Sequence, residues 1–205
     1  MPVPVPTQDV FLRGTREYHK HEPREAVYKM ATFVIEHFWN RPPEMADGLG
    51  VLLLTWNQAF YRYGPFSFEK LERCIGENLP TLDGYRRRDI LSLTKSDEPH
   101  IRRLFDSFLD SLKIESEGSR ARRSPVAVAK ALHLLGPAFF PLWDRAIADA
   151  YDCNYDAAPA SHYISFCHIM SEFAHQVREY GDNAAGTLLK RIDEYNYAKF
   201  TKGWV

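Results

Sequence analysis

Cysteine is scarce in this chain. Among 205 residues there are three, Cys74, Cys153 and Cys167. The number is odd and no two are spaced as a pair, so a disulfide framework is excluded and a reducing, cytoplasmic setting is the expectation. Net charge is also scarce: 26 basic residues face 27 acidic ones, which leaves −1. The chain as a whole is therefore no polyelectrolyte binder, and a nucleic-acid contact would need a local basic patch. No run approaches the roughly 18 consecutive apolar residues of a membrane-spanning helix, so no membrane partner is expected. The opening MPVPVPTQDV lacks a basic segment followed by an apolar one, and no signal peptide is expected from it. Walker A, dinucleotide, HExxH and GxSxG motifs are all missing. Cys153, His162, Cys167 and His168 follow no zinc spacing, and the adjacent pair Cys167 and His168 diverges on a helix. Neither a metal nor a cofactor is expected.

Apolar residues make up 45% of the chain and aromatic ones 14%, enough to build a core. No period-2 run is long enough for a strand, and no repeat appears. Apolar spacing instead predicts helices: Pro23 to Trp39, Ala46 to Tyr63, one capped by Ser67, Tyr85 to Leu93, Pro99 to Lys113, Pro125 to Leu135, one after Pro141, His162 to Tyr180, and Asn183 to Phe200. The expected fold is all-α: a compact multi-helix domain over 23–205, able to divide into two helical lobes around a cleft. The Pro-Val alternation predicts an extended arm over 1–22. The helix containing LLLTWNQAFYRY is apolar nearly all round and should be central.

The chemistry concentrates between Arg120 and Tyr151. A basic loop offers Arg120, Arg122 and Arg123, and Ser124-Pro125 opens an apolar helix whose first N–H groups suit a phosphate. Lys130 lies further along that helix. A Gly136-Pro137 turn follows, and after Pro141 a second helix opens at Asp144, whose charge suits the helix dipole. Trp56, Asn57 and Gln58 interrupt the central helix. Amides can read the edge of a base, and Trp56, Phe60 or Tyr61 can stack on one. Asp144 could equally be a helix cap, the arginines a solvated loop, and the amides a structural network. Tyr85-Arg86-Arg87-Arg88 reads first as a surface helix face, and His133 as a satisfied core histidine.

The run Phe140-Pro141-Leu142-Trp143-Asp144 followed by Arg145-Ala146-Ile147-Ala148, together with SPVAVAKAL before it, resembles the helix-hairpin-helix DNA glycosylase superfamily. The nearest pattern is that of its archaeal 8-oxoguanine branch. The resemblance implies an all-helical monomer that takes a flipped base from duplex DNA and cleaves its N-glycosidic bond. It implies Asp144 as the carboxylate that stabilises the oxocarbenium-like sugar and positions water. Arg120, Arg122, Arg123, Ser124 and Lys130 would bind the DNA backbone, and Trp56, Asn57, Gln58, Tyr61 and Trp143 would form the base pocket.

The sequence departs from that family in three ways. Arg123-Ser124-Pro125-Val126 stands where a glycine-rich hairpin belongs. Arg123 falls near the place of the Schiff-base lysine, and arginine cannot do that chemistry, so base excision without strand cleavage is expected. There is no four-cysteine cluster of the iron–sulfur kind. The base is left open among an oxidised purine, an alkylated base and a hypermodified one. The alternative is a non-catalytic helical module that binds DNA or a protein.

Overall fold

The computed structural model describes residues 5–22, 25–115, 121–180 and 186–205. Within them lie ten α-helices: α1 Gln8–His21, α2 Ala26–His37, α3 Pro42–Trp56, α4 Gln58–Tyr61, α5 Phe68–Arg86, α6 Glu98–Ser111, α7 Pro125–Leu135, α8 Arg145–Ala150, α9 Pro159–Val177 and α10 Leu188–Asn196. A π-helical turn, Tyr197–Thr201, continues α10. No sheet occurs among the described residues; the one bridge pairs Ile114 with Arg122. The all-α expectation holds. No described helix is long and apolar enough to cross a membrane.

Local signals placed several helix starts correctly. The Ser67 hydroxyl accepts from the Lys70 N–H, and the Ser124 hydroxyl from the Ala127 N–H, each satisfying an otherwise orphaned donor. Asp144 caps α8 in the same way, accepting from the Ile147 N–H at 2.8 Å.

Three expectations need correction. The N-terminal arm is not extended throughout, because α1 occupies Gln8–His21. Its buried residues Phe11, Gly14, Thr15 and Tyr18 recur at three- and four-residue spacing and form one stripe. Phe11 packs against Phe173 and Tyr195, and that burial outweighs the polar character of the rest of the helix. At Gly14 a Cβ would lie 2.6 Å from Cδ2 of Tyr195, so the missing side chain is what lets α1 approach α10. Second, the central helix is broken at Asn57, between α3 and α4. Third, Tyr85 belongs to α5, and only a single 3-10 turn, Ile90–Ser92, forms beyond it.

The core runs through every layer. It is built from Leu49, Leu52 and Leu53 of α3, Phe105 and Phe108 of α6, Leu132 and Leu135 of α7, and Tyr163 and Phe166 of α9. Helices α2 and α3 pack together, as do α1 and α10, and α7 contacts both α2 and α3. These three junctions surround one concavity.

Candidate functional site

The concavity is a pocket of about 680 Å³, a size typical of small-molecule sites. Its wall is drawn from the whole chain: Tyr18 and Glu22 from the end of α1, Val27 from α2, Trp56 from the end of α3, Lys130 from α7, and Asp144 before α8. Asp193 of α10 and Tyr197 of the π turn close it.

Asp144 is held by two hydrogen bonds. Oδ1 accepts from the Ile147 N–H, and Oδ2 accepts from the Thr201 hydroxyl at 2.8 Å. A carboxylate has about four lone-pair sites, so two remain for a ligand. The π turn matters here, since it carries both Thr201, which fixes Asp144, and Tyr197, which lines the pocket. Such wide turns recur at functional sites.

Lys130 is the least expected member. Its ammonium donates to the Trp56 carbonyl at 3.0 Å and to Oδ1 of Asn57 at 2.6 Å. Among the described residues, one of its three N–H donors is uncommitted. Burial disfavours the charged form and brings the amine down to about 8, against the pull of the Asp144 and Asp193 charges. The surface phosphate anchor expected from the sequence is therefore a half-buried pocket group.

Asn57 is buried behind Lys130. Its Oδ1 accepts from Lys130, and its Nδ2 donates to the Ser124 hydroxyl at 3.2 Å. The helix break at Asn57 is what turns this amide toward α7. Trp56 is stacked on Tyr28, with ring centroids 5.7 Å apart and planes 6° from parallel. The Tyr28 hydroxyl lies 3.0 Å from Nε2 of His133. His133 Nδ1 lies 2.8 Å from the Phe140 carbonyl, which can only accept, so Nδ1 carries the proton and Nε2 receives the tyrosine. Complete burial brings His133 down to about 4 and keeps it neutral. It is the satisfied core histidine anticipated from the sequence, and it braces the aromatic wall.

The other expected residues are dispersed. Trp143 lines the pocket but is 1% exposed, packed among Phe105, Tyr155, Tyr163 and Phe166. Gln58 is exposed, and Tyr61 is buried with its hydroxyl on the Leu112 carbonyl; neither is among the described lining residues. Arg120 lies outside the described residues. Arg122 and Arg123 are exposed, Arg122 over the Tyr63 ring at 4.1 Å and Arg123 3.6 Å from Asp110. Ser124 is buried as the cap of α7 and the partner of Asn57. The Arg86–Arg88 cluster is tied up internally: Arg86 lies over Trp39, Arg87 pairs with Asp83, and Arg88 chelates Asp97.

Sequence reasoning missed Asp193, Tyr197 and the group behind them. Lys190 donates to Glu25 at 2.7 Å, to Glu194 at 3.2 Å and to the Tyr18 hydroxyl at 3.3 Å. Burial works against its charge, but the surrounding carboxylates outweigh that and hold it protonated. His19, Glu25 and Glu194 come close enough together to hold a metal ion, but the Lys190 ammonium already stands between the two glutamates as their cation. Asp193 makes no hydrogen bond or ion pair among the described residues. Burial, together with the charges of Asp144, Glu194 and Glu25, outweighs Lys190 and pushes its carboxyl up to about 7. The spacing of Asp193 and Tyr197, four apart near the end of a helix, was the one signal that could have marked them.

No family model, curated protein or solved structure matches the chain, so the site is read from its own geometry.

Proposed function

We propose that this chain is a DNA glycosylase that hydrolyses the N-glycosidic bond of a damaged or modified base turned out of duplex DNA, with Asp144 as its catalytic carboxylate. The reading is carried by one observation. Asp144 stands in the wall of a pocket of about 680 Å³ that also holds Trp56 and Lys130, groups suited to stack on a base and to donate to one of its acceptors. The charge pattern supports it. Glu25 is paired with Lys190, and the rest of the wall carries Glu22, Asp144 and the partly protonated Asp193 against Lys130, a balance that suits a base and a developing sugar cation better than a phosphate. Phosphates fall to Arg122 and Arg123 outside the pocket.

Departure of the base leaves positive charge on the sugar. Asp144 offsets that charge, and its free lone pairs orient a water and receive the proton that water sheds on adding to the sugar carbon. The Lys130 ammonium is engaged by two acceptors and serves as a donor, so excision proceeds without strand cleavage. The same geometry has a plainer reading, a non-catalytic binding module, because Asp144 spends two hydrogen bonds on its own helix and on Thr201.

Duplexes carrying a panel of oxidised, alkylated and hypermodified bases, scored for released base and alkali-labile sites, separate the two. Release by the wild type and its loss in Asp144→Asn support the enzyme. No release of any base, or full activity in Asp144→Asn, refutes the mechanism. Strand breaks without alkali, with the wild type but not Lys130→Met trapped on DNA by borohydride, would show that Lys130 acts as a nucleophile instead.

A further inference from the structure

A second carboxyl group stands in the pocket with no hydrogen bond or ion pair among the described residues, although its charge and that of Lys190 attract each other. Asp144 holds α8 and the π turn, and Glu25 and Glu194 are spent on Lys190. Asp193 lines the pocket without a hydrogen bond or ion pair among the described residues, one helical turn from Tyr197 in the same wall. We propose that Asp193 is the general acid of the site, which protonates the base as it leaves while Asp144 attends to the sugar. This rests on the glycosylase reading.

The step balances simply. The bond between the sugar carbon and the base nitrogen breaks, and its electron pair stays on the base. The Asp193 carboxyl gives its proton to the base and becomes a carboxylate. Water adds to the sugar carbon and its proton passes to Asp144; Asp144 then releases that proton to solvent and Asp193 takes one up, which restores both groups. A glycosidic cleavage that divides acid and stabiliser between two carboxyls needs their environments to differ. Here they do: Asp144 receives two hydrogen bonds, and Asp193 receives none from described residues. The carboxyl of Asp193, raised to about 7, still holds its proton in about half of the molecules at neutrality and in more of them below it.

The charged and titratable groups facing Asp193 are Tyr18 of α1, Glu25 before α2 and Tyr28 within it, Lys130 of α7, Asp144 before α8, and Lys190 and Glu194 of its own helix. Of these, Lys130 also titrates nearby, at about 8. The experiment must therefore separate Asp193 from Lys130.

Single-turnover release of a neutral base is measured across the interval around pH 7 for the wild type, Asp193→Asn and Lys130→Met. The wild-type rate is expected to fall as pH rises through that point. Asp193→Asn is expected to be slower by on the order of a hundredfold, with that limb gone. Lys130→Met is expected to keep the limb. An Asp193→Asn enzyme with the wild-type rate, or one that keeps the falling limb, overturns the proposal. A limb that disappears with Lys130 instead does the same.

Asp193→Ser repeats the test if the asparagine variant fails to fold. Thermal melts check both, and replacing a carboxyl that resists ionisation should leave either variant at least as stable as the wild type above pH 7. Failure of the underlying reading looks different. No base would be released by the wild type at all, or release would survive Asp144→Asn.

Discussion

Two clusters of ionisable side chains, similar in composition, differ in how they are used. In the first, Arg88 chelates Asp97 through contacts of 2.6 and 2.9 Å, and Asp97 also accepts from the Thr94 N–H and hydroxyl. Those bonds overcome burial and bring Asp97 down to about 2. In the second, Lys130 and Asp193 share a pocket without pairing, and their values move toward neutrality, to about 8 and about 7. The contrast teaches what separates structural from chemical charge. Oppositely charged partners in direct contact fix a proton state, whereas desolvation without an ion pair makes the proton exchangeable.

The largest expected effect comes from the acid that shares the pocket with the second cluster. Asp144→Asn should lower base release by on the order of a hundredfold to a thousandfold, measured under single turnover, while near-isosteric packing keeps the fold. Full activity would place Asp144 beside Asp97 as a structural acid.

Next is the acid sensitivity of the brace between the pocket and the core. His133 is neutral and buried, with its value lowered from 6.5 to about 4. Its stabilising share is complete above 6.5 and is lost as pH falls through that value toward 4, because the unfolded chain takes up the proton first. Denaturant melts should show a decline of up to about 3 kcal/mol over that window. His133→Gln should flatten it.

Asp97→Asn tests the first cluster. It removes the chelated charge and half of a capping box, and should cost about 2 kcal/mol with no change in the pH dependence of base release. Wild-type stability from this group is present above the ordinary carboxylate value of 3.8 and is lost as pH falls through about 2. The smallest effect concerns the rim. Reversing Arg122 and Arg123 to glutamate should weaken DNA binding by about tenfold and flatten its salt dependence. Unchanged affinity would remove that loop from the interface.

What the sequence revealed of these regions followed the range of the interactions. Caps are local, so Ser67, Ser124 and Asp144 announced their helices. Lys130 was legible as a residue of α7 but not as a pocket group, because its direction depends on Trp56 and on Asn57, 73 residues away. Asp193 was hidden for the same reason. On α10, a polar amphipathic helix, any acid reads as solvated until α1 and α2 are placed against it. Helix α1 escaped notice because its four buried positions lie among eight polar or charged residues, and the preceding Pro-Val run pointed to extended chain.

The π turn at Tyr197–Thr201 has a consequence for how this chain can vary. A π turn holds one residue more than the α turn it replaces. Deleting a single residue there would let α10 close as a regular α-helix, rotating everything beyond it by about 100°. Thr201 would then face away from Asp144, and the carboxylate would lose one of its two anchors. Chain length in this one turn, together with the Thr201 hydroxyl, sets whether the turn reaches Asp144.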